Sequence, residues 1–287
     1  MFFQTAAAAA VALAASGLVS AQTSTKCNPL QTTCPPDPAF GNERVNCDFA
    51  KGPCSVFQAL AGTTLEYNGN GAVFKIQNQN DAPTIATAKY IFFGRVDVVL
   101  QAAPGKGIVT SAVLQSDDLD EVQVEYRRMC VHIDWEWIGS DNAQAQTNYF
   151  SKGNTSTYDR GAYHPVSNPT GSFHTYTIEW TSKAINWMID GNSVRTLTPA
   201  QANGGATYPQ TPMQIKLGTW VGGSSSAAPG TVQWAGGYAD FSAAPFIGYY
   251  KSISIVDYAG SDGPSSAGAT QYVYGDRSGS SQSIQSQ

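Results

Sequence analysis

From residue 72 onward the chain is a succession of short runs rich in Val, Ile, Thr, Tyr and Phe, separated by Gly, Pro, Asn and Asp. Alternation with a period of two is that of a pleated strand, whose side chains point to opposite faces in turn. It predicts strands at 72–77, 90–102, 108–115, 133–137, 144–150, 174–181, 184–189, 213–220 and 249–256. Asp190-Gly191 lies between two such runs and predicts a hairpin, because glycine tolerates the positive φ that a tight turn demands. The one helical candidate is short, at 198–201. Runs at this spacing favour an antiparallel sandwich or jelly roll over a helical fold.

One strand carries acids. In 116–139, SDDLDEVQVEYRRMCVHIDWEWIG, Asp134 and Glu136 are two apart and project to one face, with Ile133, Trp135 and Trp137 on the other. A strand with a solvent-facing acidic side satisfies the same alternation, so the pattern alone leaves structural and catalytic readings open.

The chain has 287 residues and 42% apolar content, enough for one large all-β domain. Only 13% of residues are charged, the net charge is -5, and no Lys/Arg cluster is present. That balance excludes a nucleic-acid binder, which needs a basic patch to displace counterions. The Gly-rich stretches lack a P-loop context, and nothing points to a metal or an organic cofactor.

Residues 1–21, MFFQTAAAAAVALAASGLVSA, form an Ala-rich apolar run ending in small residues, too short for a good membrane span. They read as a signal peptide cleaved before Gln22, so the protein is expected outside the cell. Export would oxidise Cys27, Cys34, Cys47 and Cys54. Three pairings are possible; short loops favour Cys27 with Cys34 and Cys47 with Cys54. No histidine lies near them to favour zinc, and Cys130 is left over. Asn154-Thr155-Ser156 is an N-glycosylation acceptor. The domains expected are thus a disulfide-containing segment at 22–56, a β-sandwich at 57–262, and a Ser/Gly-rich segment at 263–287 with a candidate closing strand at 271–274. No apolar tail of the kind a GPI signal needs follows it.

The sequence resembles the fungal Crh-type cell-wall transglycosylases of glycoside hydrolase family 16. Their contiguous Asp-Glu-(Ile/Val)-Asp-x-Glu motif is present here in two halves, Asp120-Glu121 and Ile133-Asp134-Trp135-Glu136. The likeness extends through QTNYFSKGNTSTYDRGAYHPV, FHTYTIEW, TPMQIKLGTW and VQWAGG, and back to CNPLQTTCPPDPAFG. It implies a jelly-roll β-sandwich of the concanavalin A-like lectin/glucanase type with a concave glycan-binding face. It implies Glu121 as nucleophile, Glu136 as general acid/base and Asp134 as the auxiliary carboxylate tuning both. Trp220 and Trp234 would line the cleft and stack on sugar rings. Tyr149, Tyr158 and His174 are weaker substrate-binding candidates, since aromatic strand residues otherwise serve as core. The implied partners are chitin and β-glucan, in the cell wall, for a protein expected to act as a monomer.

The chain departs from the family at one place: residues 122–132 separate Glu121 from Ile133, where the motif has none. In an uninterrupted strand Glu121 would fall on the face opposite Asp134. VQVEYRRMCVH contains no Gly, Pro, Asn or Asp to start a turn. The insert reads as translated intron or a misplaced splice boundary, with a tolerated loop and an inactivating lesion as the other readings. The alternatives to transfer are therefore a β-glucan or chitin hydrolase and a catalytically impaired wall-binding protein.

Overall fold

The structure, a computed structural model, describes residues 25–118, 132–152, 160–266 and 268–287. The expectations for the signal peptide, Glu121, Asn154 and Tyr158 fall outside those residues. The first strands are β1 (Asp37–Pro38), β2 (Arg44–Asp48), β3 (Phe57–Ala59), β4 (Glu66–Asn68), β5 (Gly71–Ile76) and β6 (Thr84–Thr87). Then come β7 (Gly94–Gln101), β8 (Ile108–Ser116), β9 (His132–Ile138), β10 (Gln144–Phe150) and β11 (Ala162–Pro165). The last are β12 (His174–Trp180), β13 (Ile185–Ile189), β14 (Asn192–Leu197), β15 (Met213–Val221), β16 (Phe246–Asp257), β17 (Gln271–Tyr274) and β18 (Ile284–Ser286).

Two antiparallel sheets form a jelly-roll sandwich. One has seven strands in the order β11-β10-β9-β8-β15-β6-β3. The other runs β14-β13-β12-β7-β16-β5-β4, with β2 added against β16. β7, β10, β13 and β16 alternate buried with less buried residues, whereas β8 is buried throughout, and Trp135, Trp137, Tyr176, Trp180 and Trp187 fill the space between the sheets. Two of these rings, Trp135 and Trp187, find partners for their buried N–H groups across the sandwich. Trp135 Nε1 donates to the Thr177 carbonyl at 3.2 Å and Trp187 Nε1 to the Asp134 carbonyl at 3.2 Å. The Tyr250 hydroxyl accepts from Gly218 N and lies 2.9 Å from the Ser111 carbonyl. The first sheet is thus tied from beneath at its three central strands.

Asp190 and Gly191 both have positive φ, 50° and 79°, and join β13 to β14 as the alternation required. The 90–102 run begins its strand only at Gly94; Tyr90 and Ile91 make single bridges, to Ala39 and Met213. Residues 198–201 form a turn, closed by Ala202 N on the Thr198 carbonyl. The helix lies elsewhere, at Pro229–Trp234, where Pro229 sits in the first turn and its missing N–H costs nothing. Cys27 is bonded to Cys34 and Cys47 to Cys54. β17 pairs with both β1 and β18 in a small third sheet.

That small sheet sits beside buried acids. Asp37, near Asp117 and Asp118, is pushed up to about 8, mainly by burial. Burial lifts Asp118 to about 6 against hydrogen bonds from Ser116 and Thr211. Asp257 is raised to about 6 by burial, although Tyr272 and three main-chain N–H groups donate to it. Between the ordinary aspartate value and these raised ones, the folded chain holds more protons than the unfolded chain, so stability falls as pH rises. The thermal midpoint is expected to be higher at about pH 5 than at about pH 8 at fixed ionic strength; the reverse order would show that these carboxyls are ionised in the fold.

Candidate functional site

β9 presents Ile133, Trp135 and Trp137 to the core, each fully buried, and His132, Asp134 and Glu136 to the opposite face. The alternation expected at 133–137 is therefore the alternation observed. Register then gives each acid its neighbours. Glu136 lies opposite Ser111 on β8 and Gln146 on β10. The same row continues to Tyr163 on β11, and through Ser111 to Gly218 on β15. Asp134 lies between Val113 and Asn148, and His132 between Gln115 and Phe150.

Two tryptophans bracket Glu136 through those neighbours. Trp220 Nε1 donates to Ser111 Oγ at 3.1 Å, and Trp234 Nε1 donates to Gln146 Oε1 at 2.8 Å. Their rings are stacked, with centroids 6.1 Å apart and planes 27° from parallel. Trp220 comes from β15, on the site face opposite Val109 and two register positions beyond Ser111. Trp234 comes from the last position of the short helix. The stacked pair stands on the same face of the sheet as the acid, with Trp220 buried and Trp234 partly exposed.

Burial raises the Glu136 carboxyl to about 8, the charge of Asp134 adds to the rise, and His132 opposes it. Asp134 is almost wholly buried. Its Oδ2 lies 2.8 Å from His132 Nε2, while Oδ1 has no hydrogen-bond partner among the described residues. One carboxyl kept protonated beside a second carboxyl is the arrangement a general acid requires. Among the described residues no group of three or more His, Cys, Asp or Glu could hold a metal ion. A groove of about 440 Å³ on the outer face of the second sheet includes Asp48 and Asp97. Both are ion-paired, to Lys51 and Arg95.

Two expected substrate contacts lie away from this face. Tyr149 pairs with Ile133, so it points into the core, buried with the Arg195 guanidinium over its ring. Its polar neighbours Gln146 and Asn148 are the ones turned outward. His174 belongs to the second sheet, where its ring bridges Asp190 Oδ2 at 2.7 Å and the Ser167 carbonyl at 2.8 Å, a structural tie. Conversely, Ser111, Gln146, His132 and Tyr163 were not singled out from sequence. Tyr163 is 58% exposed, one of only two large apolar residues so open among the described residues, and it extends the Glu136 row. The outward parity of 144–150 pointed to Gln146; Ser111 needed the sheet order.

If Asp134 contributes to the raised Glu136 value as its proximity requires, Asp134→Asn lowers the Glu136 midpoint. A carboxyl titration of ¹³C-labelled glutamate is expected to show the high-pH resonance moving towards the ordinary range. An unmoved midpoint would assign the whole rise to burial.

The sequence family described as glycosyl hydrolases family 16 matches residues 55–236. Crh-like protein 4 of Aspergillus fumigatus is 51% identical over 96% of this chain, which spans 56% of that protein's length. Crh-like protein 5 of the same fungus is 47% identical over 99% of this chain and 67% of its own length. A solved structure of Crh5 transglycosylase in complex with NAG is 46% identical, with a TM-score of 0.82 over 91% of this chain and all of that one. A β-glucanase of Bacillus licheniformis, 20% identical with a TM-score of 0.57 over 74% of this chain and 97% of that one, shares the fold. No helix among the described residues is long and apolar enough to cross a membrane. Matched over 55–236 and sharing close to half its residues with Crh-like proteins along nearly its whole length, the chain belongs to glycosyl hydrolases family 16.

Proposed function

We propose that this protein works on the fungal cell wall as a retaining transglycosylase, moving chitin chains onto β-glucan. The observation that carries the reading is Glu136, raised to about 8 mainly by burial, on one strand face with Asp134 and opposite the Ser111 and Gln146 that hold the tryptophan pair. In the first step a carboxylate attacks the anomeric carbon, the glycosidic C–O bond breaks, and the Glu136 proton passes to the leaving oxygen. In the second, Glu136 takes the proton of an acceptor hydroxyl whose oxygen attacks the same carbon and releases the carboxylate. Water at that step gives hydrolysis; a glucan hydroxyl held in place by an acceptor subsite gives transfer. Trp220, Trp234 and Tyr163 supply the stacking surface, and by resemblance Glu121, adjoining Ile133 in the version lacking 122–132, supplies the nucleophile. The leader-like run 1–21 supports secretion, and the likeness to Crh-like proteins supports residence in the wall.

The name of one relative, a Crh5 transglycosylase in complex with NAG, supports an N-acetylglucosamine polymer as a donor. The test incubates chitin with a fluorescent β-glucan oligosaccharide and resolves the products by size, on the chain as given and on a version lacking 122–132. Elongated fluorescent product from the shortened version, reduced by at least about 100-fold in Glu136→Gln, is expected. Free reducing ends without elongation would make it a hydrolase; glycan binding without any product would make it a wall-binding protein.

A further inference from the structure

Along the site face, β9 reads in steps of two as Glu136, Asp134, His132. A retaining reaction needs a second carboxylate roughly 5 Å from the acid across the anomeric carbon. Asp134 is committed elsewhere: its Oδ2 is on His132 and its main-chain carbonyl accepts the Trp187 N–H. The outward positions flanking it on β8 and β10 are Ser111, Val113, Gln115, Gln146, Asn148 and Phe150, none of them a carboxylate. The next place in line on β9 is that of His132, which pairs with Gln115 and packs on the Phe150 ring at 4.8 Å.

Counting along the chain shows what that place would otherwise hold. β8 ends at Ser116 and β9 opens at His132. Without 122–132 the connection shrinks to 117–120, an ordinary hairpin length, and Glu121 becomes the residue before Ile133, opposite Gln115. We propose that His132 fills the nucleophile position of this cleft, so that the insert acts at the site as the exchange of a carboxylate for an imidazole. The inference rests on the transfer reading above. The imidazole nitrogen nearest the acids is spent on Asp134, and the chain as given therefore presents a proton donor, Glu136, with no carboxylate opposite it on the described strands.

The test puts a carboxylate at that place in the full chain. His132→Glu, His132→Gln and the unaltered chain are assayed with chitin and the fluorescent glucan acceptor, after thermal melts establish that each folds cooperatively. His132→Glu is expected to transfer at least about 100-fold faster than the other two, to lose that gain when Glu136→Gln is added, and to show a covalent glycosyl adduct by intact mass after acid quench. Because a third carboxylate beside Asp134 and Glu136 costs stability, the converse is measured as well. In the chain lacking 122–132, Glu121→His is expected to lose transfer by the same factor. A shortened chain that transfers while neither exchange changes the rate overturns the assignment, as does an unaltered chain already as fast as His132→Glu. If the shortened chain and His132→Glu both bind chitin oligosaccharide yet form no product or adduct, the transfer reading falls and this one with it.

Discussion

The geometry of the site depends on one strand being unable to slide. β9 has indoles on its inner face and acids on its outer face, so a one-residue shift would turn Asp134 and Glu136 into the apolar core and Trp135 and Trp137 out of it. Uncovering either ring alone costs several kcal/mol, on the order of a large-to-small core change. Trp187, reaching from the other sheet to the Asp134 carbonyl, fixes the strand lengthwise as well. Whatever precedes Ile133, positions 134 and 136 stay where they are.

Electrostatics then follow from packing. The two indole N–H groups are satisfied by Ser111 and Gln146, the residues immediately beside Glu136, so the rings pack on the site face without burying an unpaired donor. Burial disfavours the Glu136 anion, and Asp134 adds its charge to the same end. His132 works in the other direction. The balance is set by three side chains on one strand, which makes it sensitive to any change among them and insensitive to surface charge farther off.

Much of this was legible in the chain. The two-residue period at 133–137 fixed which side chains share a face, because a strand permits no other arrangement. Asp190-Gly191 announced its turn because its backbone demand is local. Tyr149 went astray although the same period applied: Ala145, Thr147 and Tyr149 are the buried set of β10, and Gln144, Gln146 and Asn148 the outward one. The helix carrying Trp234 is six residues long and includes Gly230, too short for a periodic pattern to declare itself. Parity marked Gln146 as outward but gave it no neighbour, and Ser111 could not be found from sequence, since their role comes from lying across from Glu136 in neighbouring strands, and cross-strand register is a property of the folded sheet.

The hydrogen bonds of Trp220 and Trp234 also bear on how a glycan is received. An indole free to turn about its side-chain torsions must give up that freedom when a sugar settles on it, and the loss subtracts from affinity. Here each ring is oriented beforehand, by a bond to a side chain standing on the sheet itself. The aromatic surface is thus preorganised, its entropy surrendered during folding. Phenylalanine in either place would keep much of the apolar area and lose the fixed orientation, so the two contributions to sugar binding, surface and order, are separable in this protein.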